Sequence, residues 1–310
     1  MSVLLGNPLL LAVRRIFIGD VFDITLDSAA SLDGVSTTGW DLLIAKSRGQ
    51  TTSWLWRDTV RGLSTALRSD DPSTPIAFSD YSTLLGAGNA VLYRYKRAPK
   101  FVDVVEFTTS STTNTNQRVP HDLGVAPGVI ITKLTAGASG WPVFHRSLDG
   151  GGLSQYLLLN DTTAAITSGA FGSAVPTDAD FGINTNIFGT STNVVAYLFA
   201  HDDSDAGLIQ CGSYTGNGSA SGPVVTLGWE PQWVFIKRAT GDISGWNLLD
   251  IERAFSGSDN ARLQINSTAA ELTGTVFVEP SADGFSVVST NPNFNANGSR
   301  YIYVAIRAPS

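Results

Sequence analysis

The chain of 310 residues predicts an all-β fold made of three tandem, related β-sandwich modules of the jelly-roll or lectin-like kind, the first of them shortened. Three observations predict this fold. One segment occurs three times, the apolar runs are short and bounded by Gly and Pro, and no window of a dozen residues shows an amphipathic helical stripe. With 43% hydrophobic and 15% charged residues, the whole chain is expected to fold.

The repeated segment reads "VAPGVIITKLTAGASGW" at residues 125–141 and "WEPQWVFIKRATGDISGW" at residues 229–246, with a looser copy, "GWDLLIAKSRGQTTSWLW", at residues 39–56. In each copy an apolar run ends in a lysine, a Gly/Ser/Thr turn follows, and a tryptophan comes eight or nine residues after the lysine. These residues are Lys46, Lys133 and Lys237, with Trp54, Trp141 and Trp246. We expect a core strand, a turn and a return strand, used three times.

Two further runs complete each copy. A second run reads "LSTALRSDDPSTPI", "LSQYLLLNDTTAAI" or "NARLQINSTAAEL", and an aromatic-rich closing strand reads "AVLYRYKRAP", "NVVAYLFAHD" or "RYIYVAIRAP". Pro99 and the charged stretch "HDDSDAG" punctuate the chain between copies. The sequence therefore predicts an attachment segment with the first strands at 1–35 and modules at 36–100, 101–205 and 206–310.

Composition and motifs argue against several classes of function. The formal net charge of −7, without a basic run, gives no field to attract nucleic acid. Cys211 stands alone, so no intrachain disulfide is available, and no zinc, nucleotide-binding or nucleophile-elbow motif occurs. The stretch "HDDSDAG" lacks most of a calcium loop, and the three histidines are expected in turns and at strand ends. We predict no catalytic residues, no metal, no cofactor and no enzyme activity.

The opening "MSVLLGNPLLLAVRRIFIGD" differs from a secretory signal, because Asn7-Pro8 breaks its apolar stretch and its arginines follow that stretch. It is also shorter than the roughly 20 apolar residues that span a bilayer, so no membrane insertion is expected. Two interpretations stay open: a strand or short helix packed in the core, or a patch that docks on another protein. The docking candidates are Leu4, Leu5, Leu9, Leu10 and Leu11.

The tryptophans divide into two groups. Those of the repeated segment recur in all copies, which favours the core, because folding imposes a recurrent position whereas ligand binding usually keeps one copy. Trp56, Trp229 and Trp233 are less regular. They are the ligand-binding candidates, as platforms on which a sugar could stack.

The last third of the chain, from "CGSYTGNGSASGPVVTLGWEPQWVFIKRATGDISGWNLLD" through "LQINSTAAEL" and "SADGFSV" to "YIYVAIR", resembles a repeat module of tail-fibre and other virion structural proteins of tailed bacteriophages, especially marine ones. The resemblance is clear over 206–310, good over 100–205 and loose over 36–99. It implies a non-enzymatic component made in the host cytoplasm and assembled into the virion, with the tail as its expected location. It also implies other virion proteins as partners, a homotrimer, and a host-surface glycan or outer-membrane protein as receptor.

Three functions follow from these observations, in order of preference. The first is a short tail fibre or fibre-like component that contributes to host attachment. The second is a head or tail decoration or adaptor protein without a receptor. The third is a polysaccharide depolymerase, which is disfavoured because such enzymes more often show a short β-helical repeat.

Overall fold

The structure is a computed structural model that describes residues 16–148 and 153–309. Strands make up 41% of it and helices 8%, which confirms the predicted all-β class. In the described part of the chain, no helix is long and apolar enough to cross a membrane. The predicted docking leucines, Leu4, Leu5, Leu9, Leu10 and Leu11, lie outside the described residues.

The first third of the chain forms one six-stranded antiparallel sheet, called the first sheet. Its strands are β1 (Phe22–Ser28), β2 (Leu42–Ser47), β3 (Leu55–Asp58), β4 (Gly62–Leu67), β5 (Ile76–Ala77) and β6 (Asn89–Tyr95). Across the sheet they stand in the order β1-β6-β2-β3-β4-β5. The short helices are α1 (Ile18–Val21), α2 (Ala29–Leu32) and α3 (Tyr81–Leu85).

The middle third forms a second sheet with a small companion. Its strands are β7 (Val102–Thr108), β8 (Asn116–Pro120), β9 (Pro127–Leu134), β10 (Pro142–His145), β11 (Gln155–Leu158), β12 (Ile166–Thr167), β13 (Asp180–Asn184) and β14 (Asn193–Ala200). The second sheet has the order β12-β11-β10-β9-β14-β7, and β8 pairs with β13 beside it. Helix α4 (Thr185–Phe188) follows β13 directly.

The last third forms the third sheet and a three-stranded companion. Its strands are β15 (Ile209–Thr215), β16 (Val224–Thr226), β17 (Pro231–Arg238), β18 (Trp246–Asp250), β19 (Leu263–Gln264), β20 (Val278–Ser281), β21 (Gly284–Val287) and β22 (Arg300–Arg307). The third sheet has the order β15-β22-β17-β18-β19, and the companion β16-β21-β20. A 3-10 turn spans Ile251–Arg253, and α5 spans Pro292–Asn295.

The three large sheets share one strand order. In each, the closing strand (β6, β14 or β22) lies between the first strand and the lysine-bearing strand (β2, β9 or β17). The lysine-bearing strand pairs on its other side with the return strand (β3, β10 or β18), so the repeated segment folds as the predicted strand, turn and return strand. The module boundaries remain a prediction from the sequence.

Both faces of each large sheet are buried, which explains why the strands read as nearly continuous apolar runs. In β2, Ile44 and Lys46 point to one face, and Leu43 and Ala45 point to the other. The first face of every sheet joins one hydrophobic core common to all three sheets. The second faces of the first and third sheets form two separate outer cores.

The outer face of the first sheet departs from the predicted sandwich. The second and third sheets lie beside strand companions, whereas Leu32 of α2 and Leu85 of α3 pack on Leu43 in the first outer core. The Asp80 carboxylate accepts the Thr83 N–H at 2.6 Å and so caps the start of α3. A short helix before the closing strand occurs in all three copies (α3, α4 and α5), so the first copy differs in having α2 and no pair of companion strands.

Close packing between the second and third sheets depends on a glycine at the start of β9. A Cβ atom on Gly128 would lie 2.6 Å from the Cys211 sulfur and 3.0 Å from the His201 Cβ. The first distance is shorter than real Cβ atoms show, and the second is tighter than most real Cβ contacts. Glycine therefore lets β15, which carries Cys211, approach the second sheet closely.

Candidate functional site

The tryptophans of the repeated segment join the three sheets into a closed ring. The Trp54 indole N–H donates to the Gln264 carbonyl of the third sheet at 2.9 Å. Trp246 of the third sheet donates to the Leu158 carbonyl of the second at 2.9 Å, and Trp141 of the second donates to the Asp71 carbonyl, between β4 and β5 of the first, at 3.2 Å. All three rings are at most 2% exposed, which confirms the prediction that they belong to the core.

The lysines of the repeated segment cross the same three junctions. Lys46 Nζ donates to the Thr268 carbonyl at 3.1 Å, Lys133 Nζ to the Pro72 carbonyl at 2.8 Å, and Lys237 Nζ to the Thr162 carbonyl at 2.8 Å. In each case the acceptor belongs to the neighbouring sheet's part of the chain. A second bond runs to a carbonyl in the lysine's own turn, so each ammonium ties its turn to the next sheet.

Burial makes these three lysines weak bases. Their side chains are fully buried and their partners are neutral carbonyls, so the loss of hydration disfavours the charged form. Burial lowers the pKa of Lys46 and of Lys133 to about 8, partly offset by Asp70 and Asp71 respectively. It lowers the pKa of Lys237 to about 7, again against the attraction of a nearby carboxylate, here that of Asp161.

Two junctions also contain a buried tyrosine, aspartate and arginine. The Tyr93 hydroxyl of the first sheet donates to Asp250 Oδ2 of the third at 2.7 Å, and Arg253 Nε donates to the same oxygen at 2.7 Å. Burial raises the pKa of Tyr93 well above its usual value. Because each member has a charged or polar partner, the group can stay buried in the core.

The junction between the second and first sheets repeats this arrangement. The Tyr197 hydroxyl donates to Asp58 Oδ2 at 2.8 Å, and Arg61 Nε donates to the same oxygen at 2.7 Å. Asp58 and Asp250 each stand four residues after the tryptophan of their segment, and each arginine follows three residues later. These residues were not among the predicted ones, although their regular spacing is a signal for them.

At the third junction, other residues stand in place of the tyrosine, the aspartate and the arginine. Val304 occupies the register position of the two tyrosines, and His145 and Leu148 occupy the positions of the aspartate and the arginine. His145 Nδ1 accepts the Ser147 N–H at 3.1 Å, so its Nε2–H donates to the Tyr303 carbonyl at 3.1 Å. Burial lowers the pKa of His145 to about 4, so this junction is held by a neutral ring.

The predicted sugar platforms are core residues. Trp56 is 1% exposed, and Trp229 and Trp233 are each 4% exposed, so none of the rings presents a face to a ligand. Trp56 packs against Trp141 and Tyr197 with ring centroids 5.5 and 5.1 Å apart. The expectation was wrong because irregular occurrence among copies also arises where non-identical sheets fill their cores, the common core for Trp56 and Trp233 and the third sheet's outer core for Trp229.

Trp56 and Trp233 border a closed apolar cavity where the three sheets meet. Its volume is about 20 Å³, which is room for no more than one water-sized group. Its lining comes from all three sheets, including Ile44, Ile131 and Phe235, which each stand two residues before their lysine. The centre of the ring is therefore packed.

Open clefts occur where the closing strands end. One of about 320 Å³ is lined by Asp20, Lys96 and Arg97, and one of about 100 Å³ by Phe17 and Arg307. A third, of about 310 Å³, is lined by residues of the second sheet and its outer loop. Among the residues described, no group of three or more His, Cys, Asp or Glu side chains is placed to hold a metal ion.

Comparison with known proteins identifies a family. The profile described as a domain of unknown function (DUF7483) matches residues 100–308, about two thirds of the chain. A search of curated proteins found no match. Among solved structures, one described as "Crystal Structure of the STIV MCP" is 7% identical, and the match covers 66% of this chain and 95% of that chain. Its TM-score of 0.21 is too low to carry an argument. Because the profile covers more than half of its residues, the chain belongs to the DUF7483 family.

Proposed function

We propose that this protein is a structural component of a tailed-phage virion, located in the tail as a short fibre or fibre-like part that contributes to host attachment. The observation that carries the proposal is the closed ring, in which every junction is formed by buried tryptophan and lysine side chains of the repeated segment. Such a ring gives a rigid body. Rigidity suits a particle component that must survive outside the cell.

The placement of the titratable groups supports a role without catalysis. An active site usually shows perturbed pKa values in an open cleft. Here Lys46, Lys133, Lys237, Tyr93 and Tyr197, whose pKa values are strongly shifted, are sealed inside the junctions, and none of them lines these three clefts. Their shifted pKa values reflect burial at structural contacts.

The ring also bears on oligomeric state. The resemblance to phage fibres implies a homotrimer, whereas here three sheets of one strand order close a ring within a single chain. We propose that one chain takes the place of such a trimer, so that no second copy is needed to cover the tryptophans. Other virion proteins remain the proposed partners.

The attachment role is tested with labelled protein on intact host cells. Saturable binding that blocks phage adsorption, absent on a phage-resistant strain of the host, is the expected result. A folded protein that neither binds nor blocks would contradict attachment and would favour the decoration or adaptor role instead.

Particle docking is tested with a second variant. Because Ile18 and Val21 are buried in the core, the deletion should stop at residue 15, before the packed residues begin. We expect protein lacking residues 1–15 to bind cells as before but to be missing from particles, as judged by immunogold labelling. Normal incorporation of this variant would refute the docking role of the leucines.

A further inference from the structure

The third open cleft differs from the other two in its chemistry. Its walls are apolar, from Pro127, Phe144, Val175 and Pro176, and its polar lining consists of Arg146 and His201. Among the residues that the structure describes, no carboxylate lines it, although the protein as a whole carries a net charge of −7. Its volume of about 310 Å³ lies at the lower end of the range for small-molecule sites.

Arg146 supplies the charge of this cleft. It follows the last residue of β10 directly and its side chain is exposed. Within residues 16–148 and 153–309, its guanidinium makes no ion pair or side-chain hydrogen bond, whereas Arg61 and Arg253 are both neutralised by aspartates. An arginine fork that is exposed and lacks a partner in the described structure is suited to bind a planar anion such as a carboxylate.

His201 supplies a fixed donor beside it. Its Nδ1 accepts the Cys211 N–H at 3.1 Å, which leaves the proton on Nε2. Arg146 and His201 line the same cleft, and burial first, and then the charge of Arg146, lower the pKa of His201. The carboxylate of Asp203, largely in solvent, lies 3.8 Å from Nε2, and the carboxylate of Asp202 is paired with Lys100.

Neither cleft residue is required by the repeated fold. Arg146 stands five residues after its tryptophan, where the other copies have Thr59 and Ile251. His201 stands four residues after Tyr197, where the others have Arg97, which is bound to Asp103, and Ala308. The fold that the three copies share therefore does not explain this pair.

We propose that this cleft binds the carboxylate of an acidic sugar, with Arg146 holding the carboxylate, His201 donating to it or to a hydroxyl, and the apolar walls covering a face of the sugar ring. The assignment rests on the proposed attachment function and names the class of receptor. Phe144, Pro127 and Pro176 are buried, so the apolar contact with the sugar falls to Ala126 and Val175, whose side chains are exposed in the cleft.

The test measures binding of glucuronate to the full-length protein by titration calorimetry, with glucose as the neutral probe of equal size and inorganic phosphate as the simple anion. We expect saturable binding of glucuronate that weakens with added salt, and weaker binding of glucose and of phosphate. Arg146→Gln should weaken glucuronate binding about tenfold or more, because it removes a charge-assisted contact. Arg307→Gln, which changes an arginine of another cleft, should leave it unchanged.

Four results would overturn the assignment. The first three are no glucuronate binding by the folded protein, equal binding of glucuronate and glucose, and an Arg146→Gln variant that binds like the parent. Equal binding of phosphate would also overturn it, because the site would then recognise charge alone. Glucuronate binding by a protein that fails to bind cells would support the cleft and refute the attachment function, so the two proposals can fail separately.

Discussion

Replacing Lys237 with methionine should change how stability depends on pH. The folded-state pKa of Lys237 is about 7, against a usual 10.5, because its ammonium is buried among carbonyls. Between pH 7 and pH 10.5 the unfolded chain therefore binds more protons at this residue than the folded one. By linkage, the free energy of unfolding contributed by Lys237 is highest above pH 10.5 and is lost as the pH falls through 7.

The magnitude follows from the same values. The contribution of Lys237 rises by about 1.4 kcal/mol per pH unit, on the order of 5 kcal/mol over the full range. Methionine has similar length and no charge. Losing the bonds to the Thr162 and Ser244 carbonyls adds a cost of about 1–3 kcal/mol for each carbonyl left unpaired, which does not depend on pH.

The assay is urea unfolding of parent and variant, followed by tryptophan fluorescence from pH 6 to pH 10. Subtracting the variant's free energy of unfolding from that of the parent cancels the effect of the titratable groups that both proteins share. Lys46→Met and Lys133→Met serve as graded controls, and their differences should begin to rise about one pH unit later, because their pKa values are about 8. A Lys237 difference that stays flat from pH 7 to pH 10 would refute the reasoning.

Three further results are expected. Asp58→Asn leaves the buried Arg61 without its charge partner and should lower the free energy of unfolding by about 3–5 kcal/mol in urea titrations; a loss below 1 kcal/mol would contradict this. Gly128→Ala should cost about 1–3 kcal/mol through the clash with Cys211, whereas Gly49→Ala, which meets no atom within 4 Å, should be nearly neutral, and equal effects would argue against the close approach. Light scattering should give a mass near 32.8 kDa with one calorimetric unfolding transition, since each sheet completes the core of the next; a mass three times larger or separate transitions would contradict a self-contained ring.

The sequence determined the elements that depend on neighbouring residues. The run before each lysine, the turn and the return strand could be predicted because strand pattern and turn chemistry are local properties. The recurrence of Trp54, Trp141 and Trp246 also identified them correctly as core, since a position required by the fold repeats with the fold. The all-β class followed from the same patterns.

The prediction that the second group of tryptophans binds a ligand failed for a physical reason. Trp56 follows Trp54 by two residues and so points to the same side of its strand, but only the arrival of the other sheets decides whether that side meets solvent. The short helices on the outer face of the first sheet were also not predicted, for a different reason. Helices of four and five residues are too short to show a periodic pattern.

Only the tertiary structure decided how the copies meet. The contacts that close the ring join residues 61 to 222 positions apart, and no local pattern in the sequence reports such pairs. The structure also showed that a lysine ending an apolar strand is buried against the next sheet's carbonyls, and that Arg146 and His201 share one cleft. Local pattern determines which residues form strands, whereas burial, charge environment and clefts arise from long-range packing, and for that reason the sites followed from the structure alone.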